Sequence, residues 1–191
     1  TGSGKSTTLY SMLSNVNAIE KKVITVEDPV EYQIPLVRQV QVNSDIGMTF
    51  AAALRSILRQ DPDVILVGEI RDTETAEISI RAALTGHLVL STLHTNNALG
   101  AIPRLVDMGI DGFLLKSSLV GVLSQRLVRT VCNECRESYQ PSDDEIEWVD
   151  PILRGSIREL WRGKGCDRCG GSGYAGRIGI HELFRITPGI R

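Results

Sequence analysis

The sequence predicts an α/β fold with a mostly parallel sheet, followed by a small cysteine-containing module. Short apolar segments with polar ends alternate with helical patterns, as in sheets whose strands are covered by helices on both faces. After about residue 130 the long apolar segments stop, and glycine, cysteine and charged residues become more frequent. The 191 residues, 42% hydrophobic and 23% charged, suit one globular domain with a small appendage.

The first part of the chain predicts a helix, two strands and a second helix, in that order. The segment 8–14 is helical in pattern, and the β-branched, apolar segment 21–29 is typical of a buried strand. The segment 36–43 alternates as a second strand does, and 49–62 predicts a helix with Thr49 as its N-cap. Large apolar residues form one face of that helix, namely Phe50, Leu54, Ile57 and Leu58.

Three further elements complete the predicted sheet and its covering helices. The continuous apolar run in 63–69 is typical of a central parallel strand. A helix is predicted over 73–86, from an N-cap at Thr73 to Gly86, and 87–96 predicts another buried strand.

The remaining patterns are mostly helical. Helices are predicted over 97–108 and 112–124, and Pro103 predicts a kink or break in the first of them. Helix-like segments also occur at 143–149 and 156–162, between the two cysteine pairs.

These patterns predict three sections of chain. Residues 1–130 form the α/β core, and residues 131–175 form the cysteine module. Residues 176–191 return to the core, with a strand over 176–186. No apolar run approaches the roughly 20 residues of a membrane-spanning helix.

The opening stretch, TGSGKST, matches the end of a phosphate-binding loop. The pattern is G-x-x-x-x-G-K-[ST], and Gly4, Lys5 and Ser6 occupy its last three positions. Its first glycine falls two residues before Thr1, so we expect a longer gene product and weak phosphate binding by this chain alone. Lys5 is expected to contact the β- and γ-phosphates of ATP, and Ser6 to ligate Mg²⁺. The candidate phosphate-binding residues are Thr1, Gly2, Ser3, Gly4, Lys5, Ser6 and Thr7.

Two groups of carboxylates lie where strands are predicted to end. Glu69 ends the strand over 63–69, where an acidic residue can hold Mg²⁺ or its waters. Glu27, Asp28 and Glu31 follow the earlier strand, and one of them could orient or deprotonate a water molecule. Spacing alone favours an acidic surface turn over a catalytic role for these three residues.

Histidines and arginines give weaker signals. His87 and His94 are seven residues apart, so a regular strand directs them to opposite faces, which argues against a shared metal ion. Arg55 and Arg59 share a helix face, as solvated arginines commonly do. In a ring-shaped ATPase such residues can reach the phosphates bound by a neighbouring subunit.

The four cysteines form two C-x-x-C pairs, Cys132 with Cys135 and Cys166 with Cys169. Four thiolates in this spacing suit a tetrahedral, structural Zn²⁺ site. A redox-active dithiol pair and four unrelated thiols are the alternatives. The spacing favours a reducing compartment over a secreted, disulfide-bonded protein.

Together these motifs resemble the secretion ATPase superfamily of bacterial type II secretion and type IV pilus assembly. The resemblance rests on TGSGKSTTLYSML, ITVEDPVEYQIPLVRQVQVN, the segment 55–96 and GYAGRIGIHEL, which occur in order along the whole chain. It implies a RecA-like core that binds ATP and Mg²⁺.

The resemblance also implies residue roles. Lys5 and Ser6 match the phosphate-binding loop, and Glu69 matches the strand-terminal glutamate that acts through Mg²⁺. Glu31 matches the catalytic glutamate, supported by Glu27 and Asp28. His94 matches a nucleotide-sensing histidine, and His87 begins the same motif.

At the level of the whole protein, the resemblance implies a homo-hexamer at the cytoplasmic face of the bacterial inner membrane, working on platform proteins of the secretion machinery. The cysteine module favours type II secretion, with pilus extension as the alternative. The family has an additional N-terminal domain and a helical continuation after Arg191. The net charge of −2 argues against a nucleic-acid motor. The presence of both Glu31 and Glu69 argues against a scaffold that binds nucleotide without hydrolysing it.

Overall fold

The computed structural model describes residues 2–149 and 151–190 and divides into two units. The first unit comprises Thr1–Arg126 and His181–Arg191, and the second comprises Leu127–Ile180. No helix among the described residues is both long and apolar enough to cross a membrane.

A four-stranded parallel sheet lies in the first unit. Its strands are β1 (Val23–Glu27), β2 (Arg38–Gln41), β3 (Val64–Val67) and β4 (Leu88–Ser91), in the spatial order β2-β1-β3-β4. All three neighbouring pairs are parallel, which confirms the predicted fold class. The central strands β1 and β3 are buried along their whole length, whereas β4 at one edge of the described sheet is partly exposed.

Helices cover both faces of this sheet. They are α1 (Lys5–Ser14), α2 (Phe50–Leu58), α3 (Thr73–Leu84), α4 (Ala101–Asp107) and α5 (Gly112–Ser118). One apolar cluster joins alternate residues of β1 and β3 to α2–α5, and a second joins the intervening residues to α1. The members of the first cluster with the least exposure include Val26, Leu54, Ile65, Val67 and Ala76. This alternation follows from the two-residue period of a strand.

The helix starts agree only in part with the sequence patterns. Thr49 caps α2 as predicted, since its hydroxyl accepts a hydrogen bond from the Ala52 N–H at 3.2 Å. The predicted N-cap at Thr73 is wrong. Asp72 caps α3, because its carboxylate accepts from the Thr75 N–H at 2.8 Å, while Thr73 is the first helical residue.

Pro103 does not break α4, so the predicted kink is wrong. It is the third residue of the helix, where a backbone N–H has no partner within the helix and its absence costs nothing. The predicted helix over 112–124 is correct only as far as Ser118. From Gly121 the chain forms a long strand, β5 (Gly121–Val131), where β-branched residues are frequent.

The second unit contains a short antiparallel pair and two short helices. Its elements are β6 (Arg136–Tyr139), α6 (Asp143–Glu147), α7 (Pro151–Arg154) and β7 (Leu160–Gly163). β6 pairs with β7, so the helix-like segment 156–162 in fact ends in a strand. Cross-strand contacts explain the difference: the Arg136 guanidinium lies 4.8 Å from the Trp161 ring centre, and Arg162 lies 5.0 Å from Tyr139.

The final strand, β8 (Tyr174–Arg185), pairs with β5 in a two-stranded sheet. Its bounds contain most of the strand predicted over 176–186. The division between the units falls within β5, after Arg126, and within β8, after Ile180.

Candidate functional site

The N-terminus of α1 has the backbone geometry of a phosphate-binding turn. Gly4 precedes the helix with φ 82° and ψ 20°, a left-handed conformation that a residue with a Cβ adopts only at a cost. Its carbonyl accepts the Thr8 N–H at 3.1 Å. The first N–H groups of the helix have no carbonyl partner within it, so they can donate to an anion there.

A cleft of about 410 Å³ opens beside this turn. Ser3 and Lys5 line one wall, and residues 93–96 after β4 line another. The third wall is formed by 123–126 of β5. Lys5 is half-buried at the first position of α1, whereas Ser6 and Thr7 are exposed.

Gln125, on β5, hydrogen-bonds both to the turn that precedes α1 and to α1 itself. Its Nε2 donates to the Ser3 carbonyl at 2.9 Å, and its Oε1 accepts from the Thr8 hydroxyl at 2.6 Å. The sequence pattern does not single out Gln125, because it predicts a helix over the preceding segment, 112–124. The available signal was a glutamine inside a β-branched, apolar stretch.

Arg126, also missed, donates from Nη2 to the Asn96 carbonyl at 3.1 Å. This bond ties β5 to the loop after β4 that lines the cleft. Through Gln125 and Arg126, β5 is therefore hydrogen-bonded to two other segments that line the cleft.

Glu69 and His94 are brought together at the carboxyl ends of the adjacent strands β3 and β4. The His94 Nε2 lies 3.4 Å from a Glu69 carboxylate oxygen, and the other oxygen accepts from Arg71. The hydrogen bond from Arg71 lowers the pKa of Glu69, against the opposing effect of burial. The carboxylate is therefore ionised at neutral pH and able to interact with a cation.

Glu27, which the resemblance assigns to a supporting role beside Glu31, is the last residue of β1 and is buried. Its side chain is 4% exposed, and its carboxylate accepts hydrogen bonds from Tyr10, Thr25 and Gln39. Burial and the neighbouring carboxylate raise the pKa of Tyr10 to about 12, so the hydroxyl remains a donor. Glu27 therefore belongs to a buried hydrogen-bond network that joins β1 to α1 and β2.

Asp28 and Glu31 lie in the loop that follows β1. Asp28 lines a separate cavity of about 740 Å³ together with Arg71 and Asp72. Glu31 is exposed, and its backbone N–H donates to the Tyr10 hydroxyl at 3.2 Å. Its carboxylate has no hydrogen bond or ion pair to any described residue, which leaves it free to contact water.

His87 precedes β4 and is therefore at the opposite end of that strand from His94. Its Nδ1 lies 2.9 Å from the Ala82 carbonyl and 3.1 Å from the Thr85 hydroxyl, at the end of α3. The structure does not bring His87 to the cleft.

Arg55 and Arg59 also lie away from the cleft within this chain. Arg55 forms an exposed ion pair with Glu74 of α3. Arg59 donates to the Ser56 hydroxyl at 3.2 Å.

The four cysteines converge in the second unit. Their sulfur atoms all lie within 4.8 Å of one another, with Cys132–Cys166 and Cys135–Cys169 at 3.9 Å and Cys166–Cys169 at 3.7 Å. A tetrahedral site with Zn–S bonds of about 2.3 Å has S···S edges of about 3.8 Å. The spacing therefore fits zinc and is far too long for disulfide bonds.

Backbone donors support this cluster. The N–H groups of Cys166 and Gly173 approach the Cys169 sulfur at 3.2 and 3.3 Å, and lower the pKa of Cys169 to about 6. The chain is tightly folded here: a Cβ on Gly163 would lie 2.0 Å from the Gly173 carbonyl oxygen. Only glycine permits this approach of the two backbones.

Comparisons with known proteins agree with these features. The family model described as Type II/IV secretion system protein matches residues 1–191. The type II secretion system protein E of Dickeya dadantii is 58% identical over 191 residues, which cover 100% of this chain and 38% of that protein. The type II secretion system ATPase E of Vibrio cholerae is 54% identical with the same coverage.

Among solved structures, the crystal structure of the pilus retraction motor PilT with bound ADP matches with a TM-score of 0.63 and 46% identity. The match covers 69% of this chain and 41% of PilT. The chain thus spans 38% of the length of the two secretion proteins it matches. Its sequence and fold place the chain in the Type II/IV secretion system protein family.

Proposed function

We propose that this chain is the ATP-hydrolysing part of a motor that drives type II secretion. The observation that carries the proposal is the cleft that Lys5, at the start of α1, lines together with His94, which in turn contacts Glu69. Relatives 54–58% identical across the chain are named as type II secretion proteins, and PilT was crystallised with ADP.

The residues of the cleft suit binding of ATP with Mg²⁺. The turn formed by Gly2, Ser3 and Gly4 supplies backbone donors, and Lys5 supplies a cation for the β- and γ-phosphates. Thr1, which the sequence also assigns to this loop, lies outside the described residues. Ser6 and the ionised Glu69 are the residues that would hold Mg²⁺ or its waters, with Thr7 beside them. A bound Mg²⁺ supplies positive charge that offsets the charge of the phosphates.

Glu31 is the residue we assign to the attacking water. Its carboxylate is exposed and unpaired among the described residues, so it can accept a proton without first breaking a contact. His94 links the cleft to Glu69 and can therefore respond to the γ-phosphate. Asp28, which contributes to the electrostatic environment of Arg71, would support this side of the site.

The most direct test of the proposed chemistry is Glu31→Gln in the full-length protein. We expect ATP binding to change less than twofold and the turnover number to fall by about 100-fold or more, because only the group acting on water is altered. Steady-state phosphate release and equilibrium binding of ATP measure the two quantities. Glu20→Gln, which removes the same charge from an exposed position, is the matched control.

Turnover by Glu31→Gln at the parental rate contradicts the role of Glu31. A full-length protein that binds ATP without hydrolysing it favours the scaffold alternative. Stimulation of hydrolysis by DNA favours a nucleic-acid motor, which we do not expect from a chain with a net charge of −2.

We also propose that the working form is a homo-hexamer. Arg55 and Arg59 lie away from the cleft of their own chain, and the side chain of Arg55 is 51% exposed. In a ring, such arginines can approach the phosphates held by the next subunit. The ring would act on inner-membrane platform proteins from the cytoplasmic face, and thereby promote protein export.

Turnover per subunit is therefore expected to increase with protein concentration as rings assemble. ATPase assays over a dilution series, with the oligomeric state followed by light scattering, measure this dependence. A constant turnover number down to a verified monomer contradicts a site shared between subunits.

The cysteine cluster is proposed to bind one structural Zn²⁺ per chain through Cys132, Cys135, Cys166 and Cys169. The sulfur spacing and the N–H···S contacts fit such an ion, and all four corners are occupied by protein ligands. The same module makes type II secretion our preferred assignment, with pilus extension as the alternative.

A further inference from the structure

The loop that follows β1 is anchored by hydrogen bonds to side chains of α1 and β2. Three of its backbone N–H groups donate to such side chains: Val30 to Gln41 at 3.4 Å, Glu31 to Tyr10 at 3.2 Å, and Ile34 to Gln39 at 2.7 Å. The loop therefore has a defined backbone position, although the side chain of Glu31 is exposed.

Tyr10 makes the contact to Glu31 itself. It lies on α1, five residues after Lys5, and is 1% exposed. Its hydroxyl donates to the Glu27 carboxylate and accepts from the Glu31 N–H, while its ring meets Tyr32 edge-on at 4.6 Å. One buried side chain thus connects the helix of the phosphate-binding turn to the backbone of Glu31.

Gln39 of β2 provides a second anchor. Its Nε2 donates to Glu27 at 3.1 Å and to the Tyr32 carbonyl at 3.2 Å, and its Oε1 accepts from Ile34. The buried Glu27 carboxylate therefore orients both Tyr10 and Gln39, each of which contacts the loop. Such networks behave as a unit, because removing one member leaves a buried polar group without its partner.

We infer that Tyr10 is a positioning residue for Glu31. It fixes the distance between the helix that holds the phosphates and the loop that carries the carboxylate acting on water. Proton transfer depends steeply on such distances, and a displacement of about 1 Å can cost about 100-fold in rate. This inference rests on the proposed function, in which Glu31 acts on the attacking water.

The variant Tyr10→Phe tests this role, because it removes the hydroxyl and retains the buried ring. In the full-length protein we expect the turnover number for ATP to fall at least tenfold, with the dissociation constant for ATP changed less than twofold. Gln39→Leu, which removes the second anchor, is expected to lower turnover in the same direction. Tyr32→Phe is the control, since its hydroxyl forms no hydrogen bond to a described residue.

A double variant with Glu31→Gln distinguishes a positioning role of Tyr10 from a general contribution to stability. In single-turnover measurements, Tyr10→Phe is expected to have no further effect when Glu31→Gln is already present, because the group that Tyr10 positions is gone. A purely structural role predicts that the loss of rate persists undiminished in the double variant.

Parental turnover by both Tyr10→Phe and Gln39→Leu overturns the inference, as does an undiminished effect in the Glu31→Gln background. These outcomes differ from failure of the proposed function, in which the parental protein hydrolyses no ATP or Glu31→Gln retains full activity. If thermal melts show that Tyr10→Phe does not fold, the inference is tested with Gln39→Leu instead. That variant is then measured both alone and together with Glu31→Gln.

Discussion

Replacing Lys5 with alanine is expected to weaken ATP binding by the full-length protein by about 100-fold or more, to the point where binding is effectively lost. Lys5 is the first residue of α1 and lines the 410 Å³ cleft that we propose holds the phosphates. A 100-fold loss corresponds to about 3 kcal/mol, which is the range for a hydrogen bond between charged groups.

Isothermal titration with ATP in the presence of Mg²⁺ measures this loss. Lys116→Ala is the matched control, because it removes the same charge from an exposed position on α5. ATP binding by Lys5→Ala that stays within a few-fold of the parental value, with a folded protein by circular dichroism, contradicts the assignment of the cleft.

Removing zinc, or replacing Cys166 with serine, is expected to unfold the second unit while the first remains folded. Among the described residues of Leu127–Ile180, Cys132 is the one buried hydrophobic residue, whereas the first unit has an extended aliphatic core. Ordering a residue costs about 1–2 kcal/mol of backbone entropy, which so small a core cannot offset without a metal ion.

Elemental analysis is expected to find one zinc per chain, and limited proteolysis after chelation to cut first within the second unit. Asp167→Ser, at the exposed position beside Cys166, is the matched control and should retain the metal. A zinc-free protein whose second unit resists protease as well as the first does is evidence against a structural metal site. Secretion is expected to fail in Cys166→Ser if the second unit transmits motion to membrane partners.

Much of the fold could be predicted because the relevant signals are local. The apolar runs at β1 and β3 are buried on both faces, and such runs are distinctive of central parallel strands. The phosphate-binding turn and the cysteine pairs are likewise defined by short spacings, because a bound phosphate or metal ion demands ligands at fixed intervals.

Two strands, β5 and β7, could not be predicted from the sequence pattern, because contacts between distant segments stabilise them. The segment that contains Leu160–Gly163 has a helical pattern but forms β7, since stacking between Arg136 and Trp161 stabilises the strand pair. The helical pattern also continues past Ser118, but from Gly121 the chain forms β5 and pairs with β8, which begins more than 40 residues after β5 ends. Local propensity is weak compared with such tertiary contacts.

Residue type and spacing were enough to predict candidate phosphate and metal ligands, because both kinds of site need particular side chains at fixed intervals. The tertiary structure separates the two glutamates that follow one another at the end of β1: Glu27 is buried in a network with Tyr10, while the side chain of Glu31 is exposed and its backbone N–H donates to Tyr10. It also selected His94 over His87 and placed Gln125 against Ser3. The physical reason is that burial and hydrogen-bond partners come from segments far apart in the chain, whose meeting no local pattern encodes.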